Sequence, residues 1–363
     1  MGGGRNVRDG PLSRKDTELA RADRITVRGG GIFGLACAYS GAIRGARVTV
    51  VEPRRIGAGA SGGTVGALAP HVPEQWNPKK QFQFESLLMA ADFWADVARL
   101  GSDPGYARLG RIQPLADADQ VARAHARAMG ARDHWGEAAV WRVAEAAEFP
   151  FAPLSPTGLV VHDSLTARIA PRTACTALAQ AVIALGGQIV PEAPDEGAVI
   201  HATGHEGLAD LSRAFGRPVG NGVKGQSALL RLDPGAVPQV YADGVHIVPH
   251  ADGTVAIGST SERDFATPDS TDAQLDALIA KARAICPALA EAPVTDLWAG
   301  VRPRARTRAP MLGPWPGRPG HFIANGGFKI GFGMAPKVGA VMADLILEGR
   351  DAIPAGFRVE DNL

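Results

Sequence analysis

Apolar and polar positions change period several times along the chain. Arg24–Val27 is a β-branched run, and Leu35 to about Arg44 follows with helical spacing, stopped by Gly45. Arg47–Val51 is a second β-branched run closed by Glu52-Pro53. Strand, helix and strand within about thirty residues is one β-α-β unit. Gln81 to about Leu100 carries Phe84, Leu87, Leu88, Ala91 and Trp94 on one stripe, which predicts a helix, as does the alanine-rich 117–129. Val143–Glu148 reads as a short helix ended before Pro150, and Gly158–His162 as a strand. Pro171 suits the start of a helix over 173–185, with Gly186-Gly187 at its end. Gln188–Val190 and Ala198–Ala202 predict short strands. From Val223 to Thr260 the pattern alternates between turn signals such as Ala242-Asp243-Gly244, which predicts antiparallel sheet. Helices over 273–285 and 337–347 complete the series. Strand–helix alternation at both ends, with antiparallel sheet between, predicts an α/β nucleotide-binding domain interrupted by a second domain.

The chain length of 363 residues fits two domains at about 100–200 residues each. Lys and Arg number 38 against 37 Asp and Glu, for a net charge of +1, which argues against a strongly basic nucleic-acid binder but leaves a local patch open. Cys37, Cys175 and Cys286 are far apart and form no CxxC, so neither a disulfide framework nor a metal site is expected. Met1–Asp23 lacks an apolar signal region and reads as a poorly ordered extension, and no run is long enough for a membrane span. A reduced, cytoplasmic setting is expected. Glycine is the outlier: 45 of 363, about 12%, against a usual ~7%.

Much of that glycine gathers where chemistry would need it. Gly29, Gly31 and Gly34 form G-x-G-x-x-G between the first strand and the first helix. In such a motif the first glycine permits a tight turn, the second removes a Cβ that would block a pyrophosphate, and the third lets helix and strand pack closely. The helix N-terminus then favours the anion. Glu52, 23 residues after Gly29 at the end of the second strand, would accept from ribose hydroxyls, or is simply a solvated strand end. The fingerprint leaves NAD and FAD both open. Arg28 departs from the apolar residue expected there and must reach solvent or a partner, for which a carboxylate of the N-terminal extension is one candidate.

Further segments separate the two cofactors. Gly57–Gly62 followed by Gly66–Pro70, Ala202-Thr203-Gly204, Val223–Gln226, Ile247-Val248-Pro249 with Asp252–Thr260, Gly300–Pro303 with Pro310–Gly313, and Asn325–Gly331 with Met334–Pro336 occur in this order. Together they resemble the D-amino-acid oxidase family, the glycine-oxidase-like flavoproteins, from about Arg24 to Gly349. The resemblance implies an FAD-binding Rossmann-like domain of the glutathione-reductase type, interleaved with an α+β substrate domain on a mixed or antiparallel sheet. It places the FAD domain at 24–99, 163–215 and 299–350, the substrate domain at 100–162 and 216–298, and a tail at 351–363. The flavin contacts it implies are Gly29, Gly31, Ile32, Phe33 and Gly34; Glu52, Pro53 and Arg54; Ala60, Ser61, Gly66, Ala67 and Leu68; Thr203 and Gly204; and Gly326, Gly327, Phe328, Lys329, Ile330 and Gly331.

In that family FAD oxidises a C–N bond beside a carboxylate, so the protein mainly positions substrate. Arg302 stands at the position of the carboxylate-binding arginine, where its planar fork suits bidentate capture. His246 stands where the resemblance leads one to expect a tyrosine; it would hydrogen-bond the substrate carboxylate or sense its charge, or it is a satisfied sheet histidine. Lys329 would place charge near the N1–C2=O end of the reduced flavin, or is a solvated loop lysine. Arg302, Arg304, Arg306 and Arg308 alternate, and would form an electropositive mouth or a basic loop interrupted by Pro303 and Pro310. His71 would face the flavin, although nothing in its spacing supports covalent attachment, so noncovalent FAD is expected. No metal site is read at His201 and His205. Trp94, Trp135, Trp141 and Trp298 are expected in packing roles. The connection Pro191–Gly197 is shorter than the resemblance leads one to expect, which leaves the adenine side more exposed or covered by another segment.

The expected activity is hydride transfer from a small D-amino acid, glycine, N-methylglycine or related amine, giving imino and then keto acid, with O2 reduced to H2O2. A dehydrogenase using another acceptor is the runner-up. A tRNA-modifying flavin module is disfavoured by the charge balance, and a plain NAD dehydrogenase would leave the C-terminal glycine segment idle. No nucleic-acid partner is expected, and a homo-oligomer is possible.

Overall fold

A computed structural model describes residues 23–363. The expected N-terminal extension lies outside the described residues apart from Asp23, whose carbonyl accepts from Arg47 N–H. Two large sheets organise the chain.

The first has six strands in the spatial order Met311–Pro314, His321–Asn325, Ala198–His201, Arg24–Arg28, Arg47–Val51 and Gln188–Val190. Arg24–Arg28 pairs in parallel with strands on both sides, and its interior positions are buried. Both faces of such a strand need cover, and its β-branched residues pack into it from either side. The helix Ile32–Ala42 is buried along its whole length and packs against Gly331–Glu348, Pro171–Ala184 and the sheet.

The second sheet has eight strands in the order Val294–Ala305, Gly220–Arg231, Thr254–Gly258, Val245–Pro249, Gln239–Ala242, Arg111–Pro114, Leu159–Asp163 and Trp141–Glu145. It is antiparallel except where Gln239–Ala242 meets Arg111–Pro114. Residues 299–305, expected with the FAD domain, are here the second half of an edge strand in this sheet.

Caps explain several helix starts. Asn77 accepts from Lys80 N–H with Pro78 in the first turn, so that helix begins at Pro78. Asp117 and Asp272 cap the helices Ala118–Trp135 and Ala273–Ile285 in the same manner. Two local expectations fail and one helix was not foreseen. Val143–Glu148 is not a helix: Trp141–Glu145 is an edge strand with Trp141 and Ala144 buried, followed by a single 3-10 turn. The last helix begins at Gly331, with Pro336 inside it, six residues before the expected start. Gly204–Ala214 forms a helix that the glycines around Thr203 hid. Arg28 finds its partner in the shortened connection, not the N-terminus: its guanidinium meets Asp195 at 2.5 Å and donates to Ala193 O.

Candidate active site

A cavity of about 730 Å³ opens where the two sheets meet. Its floor is built from the carboxyl ends of parallel strands: Arg28 and Gly29, Val51 and Glu52, Ala202 and Thr203, Ala324 and Asn325. Such ends are where open α/β sheets bind ligands. The glycine turn is enforced sterically. Gly29 has φ +110°, and a Cβ on it would lie 2.4 Å from Ala202 O; a Cβ on Gly34 would lie 2.0 Å from Gly29 O. Gly31 caps the helix without a side chain, and no acidic residue occupies the first turn, so this helix end favours an anion. Ile32 N–H donates to Ser61 Oγ at 2.9 Å, which ties the second glycine segment to the helix start.

Most predicted contacts meet around this cavity. Gly29, Gly31, Ile32, Phe33, Glu52, Pro53, Arg54, Ala60, Ser61, Gly66, Ala67, Thr203, Gly204, Gly327, Phe328, Lys329 and Gly331 line it. Glu52 already accepts from Gly30 N–H at 2.9 Å and Arg54 N–H at 3.1 Å, so the turn fixes its orientation. Four expected contacts do not line it. Leu68 points into the core at 1% exposure. Gly34 and Gly326 lie behind the wall, where they serve close packing, and Ile330 faces a neighbouring cavity. Trp298, expected in a packing role, lines the cavity, whereas Trp94, Trp135 and Trp141 are buried. Tyr241 and Ser227, which carry no local sequence signal, also line it, as do His205 and, from the short connection, Pro191 with Glu192. The shortened connection thus forms part of the cavity wall.

From the second sheet the cavity receives Arg302, 8% exposed, on the strand Val294–Ala305 opposite Val223. Its Nη1 donates to Thr260 O at 3.3 Å, the one protein hydrogen bond of this guanidinium among the described residues. The neighbouring strand makes room for it. A Cβ on Gly225 would lie 1.8 Å from Arg302 Nη2, and one on Gly300, paired with Gly225, would lie 2.4 Å from the Trp298 indole. The facing glycines form a trough holding guanidinium and indole. Gly225 thus serves to seat Arg302. Burial pulls the Arg302 pKa down to about 10, with Glu262 opposing, so it stays a cation at neutral pH.

His246 packs on Tyr241, their ring centroids 4.6 Å apart, and its Nδ1 is buried with no protein partner. Burial first, then Arg111 and Lys329, push its pKa down to about 3, so it is neutral and offers hydrogen bonding without charge. Burial and Arg302 lower Lys329. His71 lines the neighbouring cavity with its backbone N–H on Gln83 Oε1, and His201 meets His321 at 3.0 Å. No group of three metal-ligating side chains occurs among the described residues, and no helix there is long and apolar enough to cross a membrane.

These histidines make stability pH-dependent. His201, lowered by burial and then His321, titrates near 4, so it and His246 stay neutral in the folded chain while ordinary histidines protonate near 6.5. The unfolded chain then binds more protons between about pH 6.5 and 3, and stability falls as pH drops through that window. Denaturation at pH 7 and 4.5 should show this loss, and His246→Gln should reduce it; an equal loss in both proteins excludes His246 as a cause.

A family model described as DAO, FAD dependent oxidoreductase, matches residues 24–345. This chain belongs to that family. It is 26% identical over 355 residues to the bifunctional protein ThiO/ThiG of Nostoc sp., covering 89% of this chain and 52% of that one, so it spans about half of that relative. It is 25% identical to a glycine oxidase of Bacillus licheniformis, covering 90% of this chain and 93% of the relative. The crystal structure of glycine oxidase from Geobacillus kaustophilus superposes with TM-score 0.81 at 22% identity, covering 93% and 98% of the two chains, and shows the same fold. The family is one of FAD-dependent oxidoreductases. The residues present fit that cofactor: the Cβ-free turn and open helix end suit a pyrophosphate, and the cavity volume lies in the ~300–1,000 Å³ range of cofactor sites.

Proposed function

We propose that this enzyme is an oxidase of a small amino acid, of the D-amino-acid, glycine or N-methylglycine type. For a primary amine the balance is amino acid plus O2 and water giving keto acid, ammonia and H2O2. The observation that carries this is Arg302: a buried cation with one long protein hydrogen bond, lining the same cavity as the glycine turn but supplied by the antiparallel sheet. A buried guanidinium needs an anion, and its fork matches a carboxylate. Bound FAD would supply hydride acceptance, and Gly29, Gly31, Ser61 and Glu52 are the residues that would hold it. Arg302 fixes the carboxylate and with it the position of the α-carbon, which is the orientation this chemistry requires. Neutral His246 orients by hydrogen bonding, and Lys329 adds positive charge beside the same space. Glycine oxidases among the relatives support the amino-acid class.

Anaerobic addition of glycine, N-methylglycine, D- and L-amino acids to the FAD-loaded protein should bleach the flavin spectrum with at least one of them, and air should restore it. Bleaching that air does not reverse makes the enzyme a dehydrogenase with another acceptor. Bound flavin that no amine bleaches overturns the proposal.

A further inference from the structure

Beside the active-site cavity lies a second one of about 420 Å³, sharing Phe328 and Lys329 with it. Of its ten lining residues five are Lys79, Arg263, Arg304, Arg308 and Lys329, and none is acidic. Among the described residues, ion pairs occupy many of the chain's arginines and lysines but none of these five. The two cavities are joined mechanically. Phe328 N–H donates to Pro303 O at 2.9 Å, and Gly327 bridges to Arg304, so the loop is pinned to the strand between Arg302 and Arg304. Arg304 and Lys329 each stand 5.7 Å from the centre of the Phe328 ring. Phe328 and Arg308 both adopt left-handed backbone, at φ 45° and 64°, although neither is glycine, and Lys79 Nζ donates to Arg308 O. Such strain collects where a site is built.

We propose that the substrate is an amino or imino dicarboxylic acid, whose first carboxylate binds Arg302 and whose second docks in this cationic vestibule. The inference rests on the amino-acid oxidase reading above and narrows it. Arg302 and Arg304 are alternate residues of one strand, on the same face and about 6.6 Å apart along it. A glycine-sized substrate spans only the first. A glutamate-sized amino acid, or one carrying an N-carboxymethyl group, reaches toward the second. Mutual repulsion among the five cations, which with burial lowers Lys79 and Arg304, is relieved when a carboxylate enters.

The test uses FAD-loaded protein. D-Glutamate, D-aspartate and iminodiacetate are compared with glycine, N-methylglycine and D-alanine, and the dicarboxylates should show at least tenfold higher kcat/KM at low salt. Arg304→Ala and Arg308→Ala should raise KM for dicarboxylates at least tenfold more than for monocarboxylates, with Arg304→Lys recovering part. Independently of turnover, calorimetry should show glutarate binding at least tenfold more tightly than butyrate, an advantage lost in Arg304→Ala. If a variant does not fold, salt titration of the wild type decides: the dicarboxylate KM should climb more steeply than the monocarboxylate KM. Equal preference, equal glutarate and butyrate affinities, or parallel salt slopes overturn the proposal. Inorganic phosphate that matches glutarate in affinity without competing against substrate also overturns it, leaving a general anion site. Failure of the oxidase reading is distinct: no amino acid bleaches the flavin, while the glutarate advantage persists.

Discussion

Arg302→Ala lowers kcat/KM by roughly 30- to 5,000-fold while FAD remains bound. Removing one partner of a buried, hydrogen-bonded charge pair costs about 2–5 kcal/mol, and each ~1.4 kcal/mol is tenfold. The guanidinium is 8% exposed, so water cannot replace it cheaply. Arg302→Lys keeps the charge but not the fork and recovers part of the loss. The same defect should follow from a residue that never touches substrate. Gly225→Ala places a Cβ where it would lie 1.8 Å from Arg302 Nη2, so the guanidinium must leave the trough. Steady-state kinetics, with the flavin spectrum as a control for cofactor loading, measure both variants. If Arg302→Ala retains wild-type kcat/KM, Arg302 is not the carboxylate anchor. If Gly225→Ala does, the trough does not position it.

The second large effect is on stability. Arg111 and Asp163 form an ion pair at 2.9 Å, with side chains 6% and 0% exposed. Asp163 Oδ1 also accepts from the backbone N–H and the hydroxyl of Thr166. Asp163→Ala leaves Arg111 buried and uncompensated, a loss of about 3–5 kcal/mol. Melting should fall by roughly 4–7 °C. Asp163→Asn, which keeps shape and hydrogen bonding, should lose less. Arg111 lies over the Tyr241 ring and is among the charges that hold His246 neutral, so the loosened pair stands directly behind the cavity wall. Calorimetry of both variants checks this, and equal melting temperatures for Asp163→Ala and wild type exclude the pair as a stabilising element.

Residues whose environment is local could be placed from sequence, and those whose environment is tertiary could not. The strand, glycine turn, helix and second strand from Arg24 to Val51 follow from neighbours in the chain, so their order and their role at the cavity were legible. The later glycine segments were legible as a cofactor footprint only through their ordered resemblance to the D-amino-acid oxidase family. Val143–Glu148 reads either way because a six-residue segment of small residues and two glutamates fits a helix turn or an edge strand equally well, and only pairing with Leu159–Asp163 decides. Leu68 was grouped with Ala67, but alternation along the strand turns it to the core. Trp298 and Gly225 acquire their roles from the facing strand, and the Arg111–Asp163 pair spans 52 residues. The partner of Arg28 came from a loop 167 residues away. No periodicity encodes such distances.

The edge strand Val294–Ala305 sets how this site can vary by insertion and deletion. Its pairing with Gly220–Arg231 is continuous from Ala305 back to Asp296 and shifts register only beyond Leu229. An added residue near Val294 falls at that existing irregularity, where a strand absorbs an extra residue as a bulge. One added between Trp298 and Arg302 would turn the guanidinium to the opposite face of the sheet, among the side chains of Lys224 and Gln226, and empty the trough. Length variation in descendants of this chain is therefore tolerated at one end of a twelve-residue strand and forbidden at the other.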